Sequence, residues 1–516
     1  MTRPNFLYII TDQHRFDWLS ISGHPVVKTP SIDSIARGGT LFRNFFVANP
    51  VCMPNRAALL TGRYTSVNSV RINGIPLNLR ANTFTKRLMD EGYDTVAIGK
   101  MHQQTMAPMP VPNTTQEYER PELEAKPHYA AGDYKLETFE NWAPNGEHRW
   151  QEPYYGFKKV DLVTLHGDGC EGHYGRWLRK TAPDAESRRR PPNQLPHDYT
   201  CPQAVRTGLT EEEYHTAYIG RSAIDYLTNP ARKEAPFFAF VSFPDPHHPF
   251  NPPGKYWDMY DPDDFEVPEN FETNMDTPLL KWLKQKQGTI RELHMGPNPV
   301  TKREVQEAMA LTAGMITMID DWVGEILAAL KAAGLHETTI VSFNSDHGEL
   351  MGDHGVLFKG PMHYDPVIHI PMIWNDPRVE QVAQTDAFAS TVDVAATILS
   401  MAGVEPYHGM QGVDLSPVLT GGDTGRDAVL IEDEYHDALC YSKPPRLRTI
   451  RTDRHRMSIV IGEPGGELYD LEEDPGEVVN LFDDPAHAML RGELAMKLAD
   501  LMGQAVDSSP RQLTQA

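Results

Sequence analysis

Four short apolar runs set the architecture open to this chain. Residues 5–11, 95–98, 237–243 and 339–343 each read as a buried strand, and each passes at once into polar residues with Gly or Pro. Between them lie helical patterns. The longest covers 304–335, where Met309, Ile316, Ile319, Val323, Ile326 and Leu330 recur mostly at three- and four-residue spacing. Buried strands alternating with helices predict an α/β fold, and in open sheets of this class ligand-binding groups sit where the strands end.

Length then argues for more than one unit. A single core seldom grows beyond about 250 to 300 residues, so 516 residues predict one large domain with a smaller attachment. The Gly-Gly-Asp-Thr-Gly stretch at 421–425 marks the boundary, giving a large α/β domain over 1–420 and a subdomain over 421–516. Apolar or alternating segments at 428–431, 446–450 and 457–461 predict a small sheet, followed by a terminal helix across 490–502. The stretches 105–205 and 250–300 have little periodicity and read as loop insertions around a site or an oligomer contact.

Charge and cysteine content exclude several classes. A formal charge of −23 repels nucleic acid, and the run Arg188-Arg189-Arg190 is too short, between Glu186 and Pro191-Pro192, to override it. Anionic substrates must be drawn by local cations. Four cysteines, at 52, 170, 201 and 440, form neither a disulfide framework nor a CxxC metal motif. The N-terminal residues show no signal segment and no run reaches about 18 apolar residues, so a cytoplasmic location without a membrane span is expected.

The chemistry clusters at the strand ends. Asp12 follows the first strand, and Asp346-His347-Gly348 closely follows the strand at 339–343. Two carboxylates and an imidazole converging from different strands can hold one hard or borderline divalent ion, although an Asp after a strand is often only a turn cap. The segment Val51-Cys52-Met53-Pro54-Asn55-Arg56 is denser. A cysteine at a helix start has its thiolate favoured by the helix field, and Arg56 could present a planar fork of donors to an oxyanion near it. The bland alternative is a buried cysteine with Arg56 paired to a surface acid. Gly99-Lys100-Met101-His102, Pro246-His247-His248-Pro249 and Lys359 add cations and proton carriers to the same edge.

Cys52-x-Pro54-x-Arg56-x-x-x-Leu60-Thr61-Gly62 resembles the signature of the type I sulfatases, within the alkaline phosphatase-like superfamily. The resemblance runs from Asn5 to Glu467-Leu468-Tyr469-Asp470-Leu471 and Asp474-Pro475-x-Glu477-x-x-Asn480-Leu481. It implies a large, mixed but mostly parallel sheet between helices, with an antiparallel sheet in the C-terminal subdomain. It also implies a cysteine oxidised to formylglycine (3-oxoalanine) by a maturing enzyme, and one divalent ion, Ca2+ or Mn2+. Carried over by position, Asp12, Asp346 and His347 resemble the metal ligands, modified Cys52 completes the shell, and Arg56 steadies the formylglycine. Lys100, His102, His247 and Lys359 resemble the groups around the transferred sulfuryl or phosphoryl oxygens.

One position departs from the pattern. Many sulfatases carry a second acid directly after the first, whereas this chain has Gln13, whose amide oxygen can still coordinate but brings no charge. That change resembles phosphonate monoester hydrolases, phosphodiesterases and choline sulfatase-like enzymes, and Asn73 resembles a further polar pocket residue of the hydrolases. The Gly-Lys-x-His pattern at 99–102 resembles sulfatases instead. The expectation is therefore an arylsulfatase-like sulfuric ester hydrolase with side activity on phosphorus esters, and a phosphonate monoester hydrolase or phosphodiesterase as the alternative. Relatives of this size imply a dimer or tetramer.

Overall fold

The structure, a computed structural model, describes residues 3–107, 131–231, 235–272, 277–287 and 296–514. Parts of the stretches read as insertions therefore lie outside the described residues. Among the described residues nine strands form the main sheet, in the order Gln384–Thr385, Thr40–Phe42, Met372–Asn375, Thr339–Ser345, Asn5–Thr11, Phe237–Ser242, Asp94–Lys100, Lys159–Thr164 and Glu171–Gly172. The five from Thr339–Ser345 to Lys159–Thr164 run parallel, while Met372–Asn375 and Glu171–Gly172 pair antiparallel at either side.

Every residue of the central strand Asn5–Thr11 is buried, which is why its sequence reads as a continuous apolar run. Side chains alternate between two cores: Phe6, Tyr8 and Ile10 enter one, Leu7 and Ile9 the other. The helices Cys52–Thr61, Phe84–Asp90 and Asp393–Met401 cover the first core. The second is covered by His215–Thr228 and by Lys302–Ala332, whose start is fixed by a capping box between Thr301 and Glu304. The stretch 105–205 is not only loop, because it contributes Lys159–Thr164 to the main sheet and the helix His173–Thr181. Since the five central strands are parallel, their carboxyl ends share one edge, where Asp12, Lys100, His166, Asp245 and Asp346 emerge.

A second, antiparallel sheet joins Ala428–Glu434, Arg446–Thr452, His455–Val460 and Gly466–Asp470, and the helix Ala488–Gln504 packs on it through Leu494 and Leu498. The first of these strands meets the main sheet's helices: the backbone N–H of Glu432 donates to the Ala48 carbonyl at 3.0 Å, next to the Cys52 helix. No helix among the described residues is long and apolar enough to cross a membrane.

The Asp474…Glu477…Asn480 motif has a structural purpose. Asp474 accepts from the backbone of Val478 and Val479, and Asn480 bonds Leu468 N and Gly466 O. Glu477 meets the buried Arg456 guanidinium and accepts from Asp365 N at 2.7 Å, which ties the small sheet to the segment after Lys359. Arg456 lies between the rings of Tyr364 and Tyr469, with Glu467 its other acid at 3.0 Å. Removing one partner of a buried pair costs about 3–5 kcal/mol. Because Glu467 remains, Glu477→Ala should lose about 3 kcal/mol, read as a lowered urea midpoint; an unchanged midpoint would refute this tie.

Candidate active site

The helix Cys52–Thr61 starts at the sheet's carboxyl edge and aims the Cys52 side chain at the residues that follow the strands Asn5–Thr11 and Thr339–Ser345. Cys52 Sγ lies 3.0 Å from His347 Nε2 and 3.7 Å from Asp12 Oδ1. His347 Nε2 is 3.4 Å from Asp12 Oδ1 and 3.5 Å from Asp346 Oδ1. The ligand atoms of Asp12, Cys52, Asp346 and His347 all fall within 4.8 Å of one another, and all four residues are buried.

This donor set fits a divalent ion. Two carboxylates and an imidazole suit a hard or borderline cation. His347 Nδ1 donates to the Gly348 carbonyl at 2.9 Å, which leaves the Nε2 lone pair facing the cluster. Burial and Lys359 push His347 down to about 4, so the ring is neutral and able to ligate. Burial resists ionisation of Asp12, but Lys100, helped by His247 and His166, holds its carboxyl well below the usual range.

The helix start does not activate the cysteine. Burial and the Asp12 carboxylate push the Cys52 thiol up to about 11, outweighing Lys100 and Lys359. The encoded thiol is thus a poor nucleophile at neutral pH. Cys170 and Cys201 are buried with thiols raised by burial, and only Cys440 is partly exposed. In protein made without conversion of Cys52 to formylglycine, native alkylation at neutral pH should label Cys440 first, and Cys52, Cys170 and Cys201 only after denaturation. Rapid native labelling of Cys52 on peptide mapping would contradict its burial.

Arg56 is not paired to a surface acid. It is 2% exposed; its Nε donates to Asp346 Oδ2 at 2.7 Å, and one terminal nitrogen donates to Lys100 O and Ser242 Oγ at 2.9 Å each. The other terminal nitrogen lies 3.7 Å from Asp12 Oδ2 with no hydrogen-bond partner of its own. Asn55 braces the same turn, accepting from Ala48 N and donating to the Asp346 carbonyl. Asn73 Oδ1 accepts from Met53 N at 3.2 Å, which satisfies a free N–H at the start of the Cys52 helix.

The remaining basic groups surround this cluster. Lys100 Nζ bonds Asp12 Oδ2, and Lys359 Nζ lies 2.8 Å from Gln13 Oε1 and 2.9 Å from His247 Nε2. Gln13 donates its backbone N–H to Asp346 Oδ1 at 3.1 Å, while its amide nitrogen faces His248 and Glu349. His102 is held in a left-handed backbone, φ 51°, by the buried Glu137, which accepts from His102 N, Gln103 N, Gln104 N and the Tyr154 hydroxyl. Burial, Lys100 and Arg56 push His102 well below the ordinary imidazole range, and its Nδ1 is buried without a partner.

Three residues in this arrangement were not apparent from sequence. His166 Nε2 lies 2.7 Å from Lys100 Nζ, and its ring stacks on His247; Glu137 holds the left-handed turn at His102, and Glu349 accepts from the backbone of left-handed Met351 and Phe358 and from the Gln13 amide. Asp12, His166 and His247 also offer three ligand atoms within 4.8 Å of one another, but the Lys100 ammonium contacts both Asp12 and His166 and supplies positive charge there itself. A Gly-rich turn after an apolar run, at Val163-Thr164-Leu165-His166-Gly167, was the one sequence signal for His166.

The "Sulfatase" family model matches residues 4–404. This chain belongs to the sulfatase family. The sulfatase C-terminal region over 352–504 also matches the model "N-sulphoglucosamine sulphohydrolase, C-terminal". Among curated relatives, this sulfatase is 28% identical to "Multifunctional alkaline phosphatase superfamily protein PehA" of Trinickia caryophylli, over 100% of this chain and 99% of that protein. It is 26% identical to "Uncharacterized sulfatase YidJ" of Escherichia coli, over 98% and 88%. The structure of the phosphonate monoester hydrolase of Agrobacterium radiobacter superposes with a TM-score of 0.76 at 27% identity, covering 98% of this sulfatase and 97% of that chain. The chain is thus a sulfatase-family hydrolase, and its buried Asp12–Cys52–Asp346–His347 cluster is consistent with a metal-dependent active site.

Proposed function

We propose that the chain hydrolyses sulfate monoesters through an aldehyde hydrate formed at residue 52, with the arylsulfatase-like class as its substrates. The observation that carries this reading is the buried Asp12–Cys52–Asp346–His347 cluster flanked by Lys100 and Lys359. A thiol pushed up to about 11 supports oxidation of Cys52 by a separate maturing enzyme rather than use of the thiolate. Asp12, Asp346, His347 and residue 52 would hold one Ca2+ or Mn2+, with the Gln13 amide beside them. When bound, that ion supplies a Lewis acid that favours ionisation of the hydrate and draws charge from an ester oxygen.

The residues then divide the work. A hydrate hydroxyl at residue 52 attacks sulfur, the bond from sulfur to the ester oxygen breaks, and the alcohol leaves with a proton. His247 Nδ1 faces the His248 carbonyl at 2.5 Å and so carries a hydrogen, which leaves Nε2 to accept from Lys359. Lys359 and His247 therefore act as one proton store for the departing oxygen. His102, kept neutral by burial and nearby cations, takes the remaining hydrate proton. The bond from residue 52 to sulfate then breaks, the aldehyde re-forms, and water restores the hydrate. Lys100, Lys359 and Asn73 line the route of the anion and bind it electrostatically.

A second reading, phosphonate monoester or phosphodiester hydrolysis with the same nucleophile, is favoured by Gln13 and by the Agrobacterium hydrolase structure. Lys100 within the site favours sulfate, because it adds a cation next to residue 52 in the Gly-Lys-x-His pattern. Unpaired cysteines fit a reducing compartment such as the cytoplasm, and we take the working enzyme as a dimer or tetramer. Mass spectrometry of the residue-52 peptide, together with aryl sulfate, phosphonate monoester and phosphodiester substrates on metal-defined enzyme, tests the reading. Active enzyme carrying no aldehyde or hydrate would end it, and higher kcat/KM on phosphonates would exchange the two substrate classes.

A further inference from the structure

His166 stands at the most open point of the basic wall. It follows the strand Lys159–Thr164 by two residues, after a left-handed turn at Leu165, φ 63°. Its side chain is 13% exposed, whereas that of Lys100 is 0%. Besides Nε2 lying 3.7 Å from Asp12 Oδ2, it makes two closer contacts of different kinds. Nε2 lies 2.7 Å from Lys100 Nζ, and the ring stacks on His247 with centroids 3.7 Å apart and planes at 10°.

Each contact restrains a different group. An ammonium has three N–H bonds in fixed tetrahedral directions. Asp12 takes one from Lys100 and His166 Nε2 takes the second, so the direction of the third is determined. His247, in turn, is stacked on both faces, by His166 and by His248 at 4.1 Å, which holds its plane while Nε2 meets Lys359. The Lys100 ammonium can only donate, so His166 Nε2 is the acceptor of this contact.

We propose that His166 is a positioning residue with two separable effects: its Nε2 aims Lys100 at the transferred group, and its ring face holds His247 and Lys359 against the leaving oxygen. The proposal rests on the ester-hydrolase reading above. It separates binding of the transferred anion from protonation of the alcohol, which respond differently to leaving-group acidity. Losing the Lys100 restraint slows every ester equally. Losing the stack slows esters of poorly acidic alcohols most, because these depend on the proton.

The test is a series of aryl sulfates of graded leaving-group pKa, run on full-length enzyme and on H166A, H166Q and H166F, with thermal melts to confirm folding. H166A should lose about 100-fold in kcat/KM, the cost of misplacing a catalytic group by about 1 Å. H166Q keeps an acceptor for Lys100 but lacks the ring, so its plot of rate against leaving-group pKa should steepen. H166F keeps the ring but lacks the acceptor, so its plot should fall parallel to that of the wild type. Q and F variants on one common line, or H166A within about twofold of wild type throughout, overturn the proposal. Wild-type enzyme inert towards the whole series would instead overturn the reading of function on which the proposal depends.

Discussion

Cys52→Ala should abolish turnover while leaving a folded, metal-competent protein. Removing a covalent nucleophile costs on the order of 10^6-fold in kcat where the remaining groups act as a unit with it. Here the unit is visible: Cys52 Sγ lies beside His347 Nε2 and Asp12 Oδ1, and no other cysteine belongs to the cluster. Packing should change little, since alanine keeps the helix Cys52–Thr61 and removes a single buried atom. Asp12, Asp346 and His347 remain to hold a divalent ion, so stability should still fall on chelation. The decisive comparison is kcat on an aryl sulfate alongside the thermal melt. A folded Cys52→Ala enzyme with more than about 1% of wild-type turnover would show that residue 52 is not the nucleophile.

The groups legible in the sequence are those carried by the most regular backbone. Asp12 and Asp346 each follow a strand whose every residue is buried, so the apolar run ends where the chemistry begins. Cys52 and Arg56 share a helix turn, and Lys100 closes the strand Asp94–Lys100. His166 escaped because its strand, Lys159–Thr164, has an exposed lysine and a half-buried aspartate that break the apolar pattern. Glu137 and Glu349 escaped for a different reason. Their partners are backbone N–H groups around left-handed residues, and nothing in a residue's identity announces such a turn when it is not glycine. The strand Gly466–Asp470 is likewise defined by pairing with His455–Val460 more than by its own pattern. The cysteine shows the limit of local reasoning: a helix start favours thiolate, yet burial beside Asp12 decides the outcome.

Arg56→Ala should destabilise the protein by about 3–5 kcal/mol and make its stability depend strongly on divalent metal. The guanidinium is 2% exposed and pairs with Asp346, which is 1% exposed. Removing one member of such a pair leaves a charge in a dry site, which is the costly case. Lys100 still neutralises Asp12, so the unpaired charge falls on Asp346, whose Oδ1 keeps only the Gln13 N–H among its bonds to this cluster. A bound divalent ion would offset that charge, and chelation should then lower the urea midpoint of the variant more than that of the wild type. Arg56→Lys should fall between the two, because an ammonium restores charge but cannot bond Asp346, Lys100 O and Ser242 Oγ from one planar fork. Equal midpoint losses on chelation in wild type and Arg56→Ala would mean that the arginine and the ion do not share the same carboxylates. The arginine would then serve the helix rather than the centre.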